Sequence, residues 1–122
     1  MREIKFRAWD KNTKIMIPWD HLVKSRISFR TFRWALVSEN SENIELMQYT
    51  GQYDPTATEF CEGDIIKDHT YYWEVKFFDG AFWIVAIGGN AEPELLCGND
   101  YMEIIGNRYE NPELLKEDTQ HD

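Results

Sequence analysis

The chain has 122 residues, of which 43% are hydrophobic and 15% aromatic, and its 13 basic and 22 acidic side chains leave a formal net charge of −9. That length suits one ordinary domain, and that much apolar material builds a core and excludes a disordered chain. The sequence contains no run of about eighteen apolar residues, which excludes a transmembrane helix. So many rings favour strands over helices, because wide and β-branched side chains fit a pleated surface best.

Charge is distributed unevenly. Residues 1–36 hold nine basic and three acidic side chains, a net of +6, and the remaining four basic and nineteen acidic residues make −15. Such asymmetry predicts attraction between the two parts, within one chain or between copies. The N-terminus enters a strand pattern directly, without the apolar stretch of a signal peptide, so the cytosol is the expected compartment.

Taken in order, Glu3 to Trp9 alternates as a half-buried strand, with Ile4, Phe6 and Ala8 on one face. Asp10-Lys11-Asn12-Thr13 supplies a turn and Lys14 to Ile17 the return strand, an N-terminal hairpin. Trp19 to Leu22 is ambiguous, a short helical turn with Asp20 as its cap or an irregular link. Val23 to Val37 reads as strand in two pieces, with Lys24, Arg26, Ser28 and Arg30 on one face and a bulge near Arg30-Thr31. After a polar loop at residues 38–43, Ile44 to Thr50 is a strand ended by Gly51, and residues 52–61 form a connecting loop.

The second half predicts a small SH3-like barrel at residues 62–116. Ile65 to Lys67 follows a Glu62-Gly63-Asp64 turn. Tyr72 to Phe78 and Ala81 to Ile87 flank Asp79-Gly80, a hairpin signal because both turn positions need positive φ. Trp83, Val85 and Ile87 are expected to answer Trp73, Val75 and Phe77 across that hairpin. Ala91 to Asp100 reads as loop and Met102 to Ile105 as the last strand. Asn111, Pro112 and Glu113 predict the capped start of a short helix anchored by Leu114 and Leu115, and residues 117–122 form a tail. The architecture expected is thus mainly β, with an N-terminal β subdomain at residues 1–51.

Chemistry-bearing patterns are sparse. Arg26 to Trp34 interleaves cations with rings, which suits single-stranded nucleic acid, but a strand whose cations pair with the acidic remainder explains it more simply. Glu62 and Asp64 could serve acid–base chemistry or Mg²⁺, yet an Asp after Gly commonly closes its own turn. No phosphate loop, Ser/His/Asp set or HExxH spacing occurs, so catalysis and cofactors are not expected. His21, His69 and His121 have no zinc spacing, and Cys61 and Cys97 are expected as reduced thiols. The candidate interaction surface comprises Lys24, Arg26, Arg30, Arg33 and Trp34, together with Arg108 and Tyr109.

Four islands resemble one family. Met1-Arg2-Glu3-Ile4-Lys5-Phe6-Arg7-Ala8-Trp9-Asp10, Leu46 to Gly51, Glu62-Gly63-Asp64-Ile65-Ile66, and Ile105-Gly106-Asn107 through Asn111-Pro112-Glu113-Leu114-Leu115 occur in the order found in the YopX-like proteins of bacteriophages and prophages. The chain departs from that pattern after Gly51, where Gln52 to Cys61 replaces the family's usual turn and calls its tight hairpin into question. The resemblance implies a mainly β phage or prophage product in the host bacterial cytoplasm and brings no catalytic residues. The function expected is a non-enzymatic module that binds itself or a host or phage protein, and not a membrane. The alternatives are a nucleic-acid module using residues 24–34, which the net charge disfavours, and a small metal-dependent enzyme at Glu62 and Asp64.

Overall fold

The computed structural model describes residues 3–24, 43–98 and 101–116. The protein is mainly β, built of antiparallel strands with little helix. It divides into two compact units, Met1–Tyr49 and Thr50–Asp122, taken here one at a time.

In the first unit, β1 (Phe6–Asp10) lies between β2 (Ile15–Ile17) and the start of β3 (Ile44–Tyr53). Asp10 closes the β1–β2 turn. Its carboxylate accepts the backbone N–H of Asn12 at 2.9 Å and of Thr13 at 3.2 Å, and Lys14 completes the turn at φ 61°. Opposite Ala8 stand Ile17 on one side and Leu46 on the other. Among the described residues of this unit, Ala8, Trp9, Leu22 and Met47 are the buried apolar side chains.

The ambiguous segment after Pro18 is helix α1 (Trp19–Lys24). The Pro18 carbonyl accepts the N–H groups of His21 and Leu22, and the turn so formed buries Leu22 completely. This corrects the strand expected from Val23, because the helix runs through Val23 and Lys24. The rest of that expected strand, residues 25–37, lies outside the described residues.

The second unit begins with another correction. Gly51 does not end β3. At φ 83° it stays within the strand, and its N–H donates to the Glu59 carboxylate at 2.8 Å. Glu59–Cys61, expected as loop, is strand β4, the neighbour of β3. The hairpin questioned at this point is therefore present. Its turn is built by Asp54, whose N–H donates to the Thr58 carbonyl at 2.8 Å and whose carboxylate accepts three further bonds from Thr56 and Thr58.

The remaining strands are β5 (Asp64–Lys67), β6 (Tyr72–Phe78), β7 (Ala81–Ala86), β8 (Glu94–Leu95) and β9 (Glu103–Asn107). They form one sheet in the order β8-β7-β6-β5-β9. Asp79 and Gly80 take the positive φ values expected of a two-residue hairpin turn, 49° and 75°. Such a turn pairs Phe78 with Ala81, so Val75 meets Ile84 and Trp73 meets Ala86. The expected answer from Trp83, Val85 and Ile87 was out by one residue, and those side chains belong with the opposite face. Phe60, Ile66, Trp73, Val75, Ile84, Leu96 and Met102 form the core on the inner face.

The C-terminal helix is a single 3-10 turn, Pro112–Leu115, and Asn111 makes no side-chain cap for it. Instead the Asn111 side-chain oxygen turns back and accepts the Asn107 N–H at 3.1 Å. That return needs glycine at position 106, where a Cβ would stand 2.5 Å from the same oxygen.

Candidate functional site

Strand β6 sorts its residues by parity. Trp73 and Val75 point into the core, while Tyr72, Glu74, Lys76 and Phe78 share the outer face. Register places Lys67 of β5 opposite Tyr72, and Val85 and Trp83 of β7 opposite Glu74 and Lys76. Leu95 of β8 stands opposite Trp83. The outer face thus carries rings and cations, with the exposed Glu103 of β9 opposite Lys67.

Glu74 is the acid at its centre, with only 7% of its side chain exposed. A buried carboxylate is costly unless paired, and Arg108 supplies the partner from the turn after β9. One guanidinium N–H group (Nη1) lies 2.9 Å from Glu74 Oε2, and the Lys76 ammonium lies 4.0 Å from Oε1. Arg108 is placed from two directions: its backbone N–H donates to the Gly63 carbonyl, and the Asn107 carboxamide accepts the N–H groups of Tyr109 and Glu110.

Each outer cation has a ring beside it. The Lys67 ammonium sits 5.9 Å from the Tyr72 ring centre, and the Arg108 guanidinium 5.8 Å from that of Tyr109. Lys76 pairs across the strands with Trp83, whose ring stacks on Phe78 at 5.3 Å and 15°. The Trp83 indole N–H donates to the Phe78 carbonyl at 2.9 Å and fixes the ring.

Two aspartates hold the surroundings of this sheet. Burial raises the pKa of Asp54, but bonds from the Thr56 hydroxyl and from the N–H groups of Thr58, Ile104 and Thr56 outweigh it and hold the carboxyl below its usual range. Asp68 behaves alike. Burial raises it, and bonds from the Tyr71 and Thr70 N–H groups and the Trp73 indole, together with the charge of His69, lower it further.

Of the residues singled out in the sequence, Arg108 meets the outer face at Glu74, with the Tyr109 ring beside its guanidinium. Lys24 is the last residue of α1, and Arg26, Arg30, Arg33 and Trp34 lie outside the described residues. Lys67, Tyr72, Lys76 and Trp83 were missed as site residues, although the period-two alternation of Tyr72 to Phe78 was the signal for them. Asp64 is buried and its carboxylate accepts the Cys61 N–H at 2.8 Å, the turn-closing role. Cys61 is buried and Cys97 exposed, and the two form no disulfide. Among the described residues no helix is long and apolar enough to cross a membrane, and no group of three His, Cys, Asp or Glu side chains could hold a metal ion.

Comparison with known proteins places this geometry. The profile of the family described as YopX protein matches residues 5–116. The crystal structure of protein EF1440 from Enterococcus faecalis superposes with a TM-score of 0.64 at 23% identity, over 95% of this chain and 100% of that one. That likeness is one of fold. The comparison with curated proteins finds no match.

Proposed function

The chain belongs to the YopX family, and from that premise we propose that it is a phage- or prophage-encoded accessory protein acting through protein–protein contacts in the host bacterial cytoplasm. It works without catalysis, and its first partner is a second copy of itself. The C-terminal unit is read as a small SH3-like barrel, since β5 to β8 follow one another across the sheet and β9 returns beside β5.

The observation that carries this reading is the exposed apolar end of β6, β7 and β8. On the outer face Phe78 is 37% and Leu95 59% exposed beside Trp83, and Phe77, 49% exposed, points to the other face. Neighbouring apolar side chains left in water mark surfaces that bury themselves against a partner. The division of charge, +6 over residues 1–36 and −15 over the rest, supplies attraction between unlike parts of two copies.

Sedimentation velocity across a salt series tests the reading. An oligomer is expected at low salt, weakening as salt screens the charges, and Phe78→Ser/Leu95→Ser is expected to weaken it about a hundredfold, the worth of burying two such side chains. A monomer at every salt concentration overturns it.

A further inference from the structure

Going beyond protein contacts, we propose that the outer face of the five-stranded sheet binds single-stranded nucleic acid, with Lys67, Arg108 and Lys76 on phosphates and Tyr72, Tyr109 and Trp83 against bases. The first ground is where the cations lie. Residues 37–122 contain only four basic side chains, Lys67, Lys76, Arg108 and Lys116, against nineteen acidic ones. Three of the four meet on this one face.

The second ground is their spacing. Lys67 stands opposite Tyr72, Arg108 is bound to Glu74, and Lys76 is two residues further along β6. Same-face positions on a strand repeat at about 7 Å, so along β6 Tyr72 beside Lys67, Glu74 bearing Arg108, and Lys76 mark successive positions at that repeat. Such a step is comparable with the distance between phosphates of an extended single strand. The third ground is that each step has a ring as well as a charge, the pairing that single-strand binders use because every base has a face to stack. An acidic peptide would meet the cations but has no planar group to offer at every step.

The net charge of −9 opposes any polyanion at long range, and the face answers it locally. Of the two acids on this face, Glu74 is buried and spent on Arg108, and the exposed Glu103 stands opposite Lys67 on β9, so the three cations outnumber them. Arg108 commits one of its five N–H donors to that carboxylate, and its side chain remains 42% exposed.

The test is fluorescence anisotropy of labelled oligothymidylate titrated with the intact protein at about 50 mM salt, repeated as salt is raised. Saturable binding is expected, with log K falling against log salt at a slope of about −2, for three phosphate contacts on a single strand. The variant Lys67→Gln/Lys76→Gln changes two exposed side chains and leaves the Glu74–Arg108 pair intact. It is expected to lose about tenfold in affinity and about 1.4 units of slope, with unchanged circular dichroism. Trp83→Leu is expected to weaken binding without altering the slope, because a base stack carries no counterion term. The proposal is overturned if the oligonucleotide does not bind, if the double variant binds as well as the natural protein, or if polyglutamate of equal charge competes equally.

Discussion

The two faces of β6 follow different rules on one strand. Its odd residues Trp73 and Val75 are buried apolar side chains packed with Ile66, Ile84 and Leu96, and they need nothing but complementary shape. Its even residues Tyr72, Glu74, Lys76 and Phe78 are polar or exposed, and the one buried among them, Glu74, depends on Arg108 from 34 residues away. The inner face is held by volume alone, and the outer face joins the buried Ile65 and Ile87 to one charge pair. The outer face is therefore where substitutions can change what the protein binds without unfolding it.

Four perturbations probe that contrast, in falling order of effect. Trp73→Ala opens a cavity in the inner face and is expected to cost about 4 kcal/mol of stability in urea unfolding. A cost below about 1 kcal/mol would mean that the inner face is not the core. Asp54→Ala removes the carboxylate that binds Thr56, Thr58 and the Ile104 N–H of β9, and about 2–3 kcal/mol is expected to go with it.

The same aspartate gives the contrast a pH dependence. The folded-state pKa values of Asp54 and Asp68 lie below those of the unfolded chain, so their contribution is complete above the usual carboxylate range. It is lost as pH falls from about 5 through the folded-state values, and Asp54→Ala should flatten that acid limb in a pH series of unfolding midpoints. An unaltered limb would show that Asp54 does not contribute to it.

Arg108→Ala leaves Glu74 buried beside Lys76 alone and is expected to cost about 2 kcal/mol, discounted because Arg108 is itself partly exposed. Adding Glu74→Leu should return most of it, since the second change removes the unpaired charge. If the double variant is no more stable than Arg108→Ala, the pair does not support this face. Smallest of all, Lys67→Gln/Lys76→Gln should move stability by less than about 0.5 kcal/mol, as surface changes do.

How much of this was legible in the sequence depended on how local each cause is. The β1–β2 and β6–β7 hairpins were legible because Asp10, Asp79 and Gly80 determine their turns from within them. The partners of Trp73 and Val75 were misread because the two-residue turn was not counted through to the pairing of Phe78 with Ala81. β4 was illegible because its turn is closed by an aspartate whose other oxygen bonds a backbone N–H fifty residues away. Asn111 read as a helix cap, and its competing partner, the Asn107 N–H, is available only through the glycine at 106. Glu74 drew no reading as a site residue, since nothing nearby in the sequence announces its partner.

The most direct test of the division between the two faces is an ¹⁵N–¹H correlation spectrum of the protein titrated with oligothymidylate. Shifts are predicted at Lys67, Tyr72, Lys76, Trp83, Arg108 and Tyr109, with Ile66, Val75 and Ile84 unmoved. An unchanged spectrum, or shifts confined to residues away from the outer face, would contradict the account.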